Sequence, residues 1–174
     1  VRAKRLPSDA FLALCDAVVA RARAFGAQII INDRADLARM SGASGVHVGQ
    51  DDVPPGDARK QVGPVAIVGF STHTLAQVEK AIREPVSYVA VGPVFGTATK
   101  NTGYEPLGLA FVRAARERIP AALPVVAIGG ITLDTAASVL GAGASQVAVI
   151  SDLVSRGDPK ARVAEYLARL TVRP

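Results

Sequence analysis

Two threonine hydroxyls and a lysine, Thr97, Thr99 and Lys100, stand just beyond the apolar run 88–91 and the pair Gly92-Pro93. A β-branched run this short suits a buried parallel strand, which puts the polar cluster at the strand's carboxyl end. Hydroxyls and an ammonium grouped on such a loop form a ready site for a phosphorylated ligand. Gly, Thr and Lys are also ordinary loop residues, so the cluster gains weight only because similar ones recur. Asp33 and Asp52 end consecutive strand-like runs, and their carboxylates can converge. Two carboxylates completed by phosphate oxygens and water suit Mg²⁺, which seldom receives an all-protein cage. The same residues also read as local structure: Asp33 or Asp36 as the N-cap of a short helix, Asp52 as a turn residue.

Gly129-Gly130-Ile131-Thr132 follows a strand and opens a helix, and Ile150-Ser151 ends the next strand. Backbone amides at two neighbouring helix starts make an anion site; a glycine turn needed for packing is the plain alternative. His47 lies mid-strand and points opposite to Val46 and Val48, as a satisfied polar residue would. His73 opens a helix and supports its loop. The two histidines and single cysteine offer zinc no ligand set. Neither a Ser-His-Asp constellation nor a cysteine nucleophile is evident.

The elements that must position these residues alternate. Ser8 or Asp9 can cap a helix reaching Phe25, with Phe11, Leu12, Leu14, Cys15, Val18 and Val19 as its buried stripe and Gly26 as its stop. Strand-like runs lie at 28–31, 45–48, 65–68, 88–91, 125–128 and 146–150. Helical patterns lie near 36–40, 74–84, 107–118, 132–140 and 159–170. Such alternation implies right-handed βαβ units and a parallel sheet. In an open sheet the ligand residues crowd one switch point, whereas here nearly every strand ends in a polar signature. A ring of strands facing one mouth explains that distribution better, so the expected fold is a TIM (β/α)8 barrel forming one domain over 1–174. Val1–Lys4 reads as the tail of a further strand. A closed barrel of eight strands needs roughly 200 residues or more, and the chain opens on Val1 rather than methionine. The first strand and helix are therefore expected to be lacking.

Apolar residues make up 49% of the 174 and aromatics only 5%, which makes the core aliphatic. No apolar stretch approaches the ~18 residues of a membrane span, and the lone Cys15 excludes a disulfide framework. A cytoplasmic enzyme is the default. Twenty basic against fifteen acidic side chains leave +5, spread along helices rather than massed with aromatics. Small anionic substrates match that balance better than nucleic acid. A homo-oligomer is compatible with the sequence.

Ile31-Asn32-Asp33-Arg34, Gly45-Val46-His47-Val48-Gly49-Gln50-Asp51-Asp52, Ser71-Thr72-His73, Gly92-Pro93-Val94-Phe95 with Thr97-Ala98-Thr99-Lys100, and Ile128-Gly129-Gly130-Ile131 together resemble the thiamine phosphate synthase family, also called thiamine-phosphate pyrophosphorylase. The resemblance runs from Val1 to about residue 170. It implies a TIM barrel that joins hydroxymethylpyrimidine diphosphate to a thiazole phosphate and releases diphosphate with Mg²⁺. It also implies roles. Arg2 and Lys4 would hold the diphosphate, although the glutamine that begins this element in the family is absent and Ala3 replaces its usual Asp. Asn32 and Ser71 would contact the pyrimidine diphosphate, and Lys100 would be a further diphosphate contact and the catalytic charge stabiliser. Asp33 and Asp52 would hold Mg²⁺. Thr97, Thr99, Gly130, Ile150 and Ser151 would form the thiazole phosphate site.

The residue types agree with that chemistry. An ionising C–O bond captured by a thiazole nitrogen needs charge stabilisation and alignment rather than a strong base, and no base is evident. Thiazole tautomerase, a sister branch on this barrel, has His at the position of Pro93 and lacks the Asp at position 33; this chain keeps Asp33, Pro93, Lys100 and both threonines. A non-catalytic phosphate-binding regulatory barrel is the third reading, because fold alone never fixes function.

Overall fold

The computed structural model describes residues 1–96, 105–155 and 157–171. In chain order the elements are α1 (Ser8–Arg23), β1 (Ile30–Asn32), α2 (Ala35–Met40), β2 (Gly45–Val48), α3 (Pro55–Val62), β3 (Ile67–Thr72), α4 (Leu75–Ala81) and β4 (Tyr88–Val91). There follow α5 (Gly108–Arg118), β5 (Val125–Ile128), α6 (Leu133–Gly141), β6 (Gln146–Ala148), α7 (Ser151–Val154) and α8 (Pro159–Thr171). The residues fall into two compact units, Val1–Ser71 with Lys80–Val89, and Thr72–Glu79 with the described residues from Ala90 onward.

In the first unit, β1 pairs parallel with β2 in the register Ile31 to Val46, and β2 with β3 in the register Val46 to Val68. Ser87, at the start of β4, donates its N–H to the Val68 carbonyl. Val1 donates its amine to Ile30 O (2.6 Å) and accepts from Asn32 N–H (2.9 Å). That is the bonding of a strand residue beside β1, so the expected strand tail is met at Val1, whereas Lys4 already stands in a turn. Ile31, Val46, Val48, Val68 and Val89 are fully buried here. In the second unit, Thr72 Oγ1 donates to Ala90 O (2.9 Å) and Gly92 N–H to Thr72 O. β5 pairs parallel with β6. The six strands follow one another in the sheet in chain order, each but the last followed by a helix that leads to its parallel neighbour. This is TIM-barrel topology, with six strands among the described residues against the eight of a closed barrel.

Several elements depart from expectation. The strand placed at 65–68 forms at Ile67–Thr72, because the ladder sets Gly45 opposite Ile67. Val65, a strong β-former next to Pro64, is 96% exposed. Ser71 therefore lies on the strand rather than beyond it. β6 stops at Ala148, short of the expected 150. Helix α3 was not expected: Pro55 begins it, as proline favours, but its buried residues are only Pro55 and Ala58, too few to show a period. Neither Ser8 nor Asp9 caps α1. Pro7 precedes the helix without a side-chain cap, and Ser8 Oγ accepts from Arg34 Nη1 instead. The stripe narrows to Phe11, Cys15, Val19 and Ala22, leaving Leu14 exposed. Among the described residues, no helix is long and apolar enough to cross a membrane.

Candidate active site

Asp33 follows β1 directly. Its N–H continues the ladder to His47 O (2.8 Å), and Arg34 N–H closes back on Asn32 O (2.9 Å) in a three-residue turn. Asp33 sits at the centre of that turn with φ +67°, a left-handed conformation unusual for a residue with a Cβ. The chain accepts this strain at a strand end, and the carboxylate it projects meets Lys4 Nζ at 3.0 Å from Oδ2. Asp52 turns back on its own loop and accepts Gly49 N–H at Oδ2 (2.8 Å). Its carboxyl is pushed above the ordinary range, first by burial and then by the neighbouring Asp33; the Gly49 amide and Lys4 oppose that shift. The two aspartates thus converge, as their places at consecutive strand ends suggest.

The capping alternative does not hold for Asp33 or Asp36. Helix α2 has no side-chain cap at its start, and Asp36 pairs with Arg34 at 2.8 Å from Nε. Hydrogen bonding to that guanidinium holds the Asp36 carboxyl low. Asp51 faces solvent, and Arg2 is exposed.

Ser71 and Asn32 belong to the same unit as the aspartates. Ser71 Oγ lies 2.8 Å from His47 Nε2, whose Nδ1 lies 2.9 Å from the Tyr88 hydroxyl. Burial pushes the Tyr88 phenol up to about 12, so it stays protonated and can donate to Nδ1. In the tautomer that accepts that bond, Nε2–H donates to Ser71 Oγ. Gln50 Nε2 donates to Ser71 O at 2.5 Å. His47 is therefore a satisfied polar residue, as read from sequence, and it orients Ser71. Tyr88 and Gln50 were not singled out by sequence. The available signal was Gly69, set between His47 and Tyr88: a Cβ there would lie 2.6 Å from His47 Nδ1 and closer still to the Tyr88 ring.

In the second unit, Gly92-Pro93 is a cis peptide. Val94 N–H donates to Ile128 O (2.9 Å) and Phe95 N–H to Gly129 O (3.0 Å). His73 Nδ1 lies 2.5 Å from Gly92 O and supports this loop rather than only its own. Gly129 (φ +102°) and Gly130 (φ +62°) need glycine twice over, because a Cβ would lie 2.6 Å from Pro93 Cα at the first and 2.8 Å from Phe95 Cβ at the second. Beyond them, Thr132 and Thr135 form a capping box on α6. Ile150 and Ser151 open α7, both exposed. Asp152 is buried beside them. Thr97, Thr99 and Lys100 lie outside the described residues.

Residues 1–153 match the model of the family described as thiamine monophosphate synthase. The chain belongs to that family. It is 44% identical over 161 residues to the thiamine-phosphate synthase of Roseiflexus castenholzii, covering 92% of this chain and 70% of that protein. It is 42% identical over 168 residues to the thiamine-phosphate synthase of Anaeromyxobacter dehalogenans, covering 97% and 74%. Its fold matches thiamine phosphate pyrophosphorylase from Pyrococcus furiosus with a TM-score of 0.88 at 29% identity, over 98% of this chain and 80% of that one. The resemblance carried by the ordered motifs and the TIM-barrel fold are both borne out. In thiamine phosphate synthase terms, the structure brings Lys4, Asn32, Asp33, Asp52 and Ser71 into one unit and Gly130, Ile150 and Ser151 into the other.

Proposed function

We propose that this chain couples hydroxymethylpyrimidine diphosphate to a thiazole phosphate, giving thiamine phosphate and diphosphate. The observation that carries the reading is the Lys4–Asp33–Asp52 cluster at the ends of β1 and β2 in a chain of this family. Its donors fit Mg²⁺: Asp33 lies close enough to Asp52 to raise the proton affinity of the latter, a pairing that favours a shared cation, and hard oxygen ligands suit this one. When bound there, Mg²⁺ would neutralise charge building on the departing diphosphate.

The chain's own residues supply the rest. Arg2, Lys4 and Lys100 hold the diphosphate as its C–O bond breaks and the electron pair leaves with oxygen. Asn32 and Ser71 hold the pyrimidine half, with Ser71 oriented by His47 and Tyr88. Thr97, Thr99, Gly130, Ile150 and Ser151 hold the thiazole phosphate so that the ring nitrogen's lone pair forms the new C–N bond before water can. No proton moves in that exchange, which is why no acid–base pair is needed. Alignment and exclusion of water are the protein's main contributions. The working unit is one barrel domain with small-molecule partners and neither nucleic acid nor membrane; a cytoplasmic location and a homo-oligomer are compatible with it.

The test is an assay of both substrates with Mg²⁺, read as thiamine phosphate formed. Isomerisation of the thiazole without coupling would assign the tautomerase branch. Binding of both ligands without turnover would assign a regulatory barrel.

A further inference from the structure

We infer that Asp152 is a positioning residue for the thiazole phosphate, an inference that rests on the function proposed above. The Asp152 side chain is 4% exposed, and one oxygen, Oδ2, accepts from Leu133 N–H (3.1 Å), Tyr166 OH (2.7 Å), Arg162 Nη2 (2.8 Å) and Arg162 Nε (3.2 Å). Leu133 is the first residue of α6, just beyond Gly130, and Asp152 directly follows Ser151. A single buried atom thus fixes the distance between the two segments assigned to the phosphate.

Helix capping alone does not account for this arrangement. The start of α6 already has its own capping box in Thr132 and Thr135. What Asp152 adds is a tie from α7 to α6. A bare carboxylate at that helix start would also repel an anionic ligand. Arg162 neutralises it, and Arg162 lies over the Tyr166 ring at 5.6 Å, so α8 holds the guanidinium in place. Buried ion pairs are weak sources of net stability, which points to geometry as their use here.

The test is calorimetric binding of thiazole phosphate and of hydroxymethylpyrimidine diphosphate with Mg²⁺, to the unaltered chain and to Asp152→Ala, Asp152→Asn and Tyr166→Phe, each checked for cooperative unfolding. Asp152→Ala is expected to weaken thiazole phosphate by about tenfold or more, because small misplacements of a binding group are expensive. Pyrimidine diphosphate should stay within about twofold, as for independent sites. Asp152→Asn keeps an acceptor for Leu133 and Tyr166 and should recover most of the loss. Tyr166→Phe, which removes one bond, should show a smaller loss confined to the thiazole phosphate, and it decides the matter if Asp152→Ala does not fold. Equal weakening of both ligands, or unchanged thiazole phosphate binding in folded variants, overturns the inference. An unaltered chain that binds neither ligand overturns the functional reading itself.

Discussion

Asp33 and Asp52 hold two negative charges together beside Lys4, and the strain falls on Asp52, whose carboxyl is raised by burial and by Asp33. Asp52→Asn keeps an acceptor for the Gly49 amide and removes one charge. Without metal it should therefore stabilise the chain by on the order of 1 kcal/mol, the size of a close like-charge contact near water. It should also abolish the rise in melting temperature that Mg²⁺ gives the unaltered chain; thermal unfolding with and without Mg²⁺ reads both effects, and a destabilised Asp52→Asn would argue that the pair is structural. Lys4 leads to a second expectation. Its ammonium sits on an oxygen that a cation would need, so Lys4→Met should tighten binding of Mg²⁺ alone and weaken binding of Mg²⁺ with diphosphate, where the lysine would have an anion of its own. Calorimetry with the two titrants checks the opposite signs. The convergence of the aspartates was legible because residues that end consecutive parallel strands must come near one another. The partners of His47 were not, since Ser71 and Tyr88 come from strands 24 and 41 positions away, and no local pattern joins them.

Elements with simple signals were read nearly to the residue, and those governed by distant partners were not. Strands β2, β4 and β5 coincide with their β-branched runs, whereas β3 was shifted by Val65, whose propensity for a strand is overridden by the register that Gly45 imposes on Ile67. Helix α3 lacks an apolar stripe and is held by its polar residue instead. Arg59 donates to the carbonyls of Gly63, Pro64, Ala66 and Pro85 and to Ser87 Oγ, which fastens the end of α3 to the starts of β3 and β4. Only a guanidinium can serve so many acceptors in a plane. Arg59→Ala should lower stability by about 2 kcal/mol, the sum of a few net hydrogen bonds, and Arg59→Lys should recover little of it in urea unfolding. Gly69 has the opposite constraint, space rather than bonds. Gly69→Ala would push a methyl into the His47–Tyr88 pair. It should destabilise by about 1–3 kcal/mol as overpacking does, and weaken pyrimidine diphosphate binding because Ser71 loses its orientation.

At the scale of the molecule, the barrel topology was legible because polar residues end almost every strand, which one crevice could not use. The buried Asp152 cluster was not legible, because a lone Asp after Ser151 looks like a helix-start residue, and its partners Arg162 and Tyr166 fall on the face of α8 that composition alone leaves undecided. Asp152 and Asp52 nonetheless give the whole chain a characteristic acid response. Burial would raise the Asp152 carboxyl, but hydrogen bonds from Tyr166, Arg162 and Leu133 prevail and hold it below the ordinary range. Its stabilisation is fully present above the unfolded value of about 3.9 and is lost as pH falls through the folded one. Asp52 works with the opposite sign: its folded carboxyl binds protons more tightly than the unfolded chain does, so stability declines as pH rises from the unfolded value through the raised one. Urea unfolding without metal, followed from neutral pH downward, should therefore show a gain as Asp52 takes its proton and then a loss once Asp152 must take one. Asp52→Asn should remove the gain and leave the loss; Asp152→Asn should flatten the loss and leave the gain. Added Mg²⁺ should invert the first limb, since the metal requires the ionised carboxylate and competes with the proton. A profile in which Mg²⁺ shifts stability equally at every pH would mean that Asp52 does not ligate it.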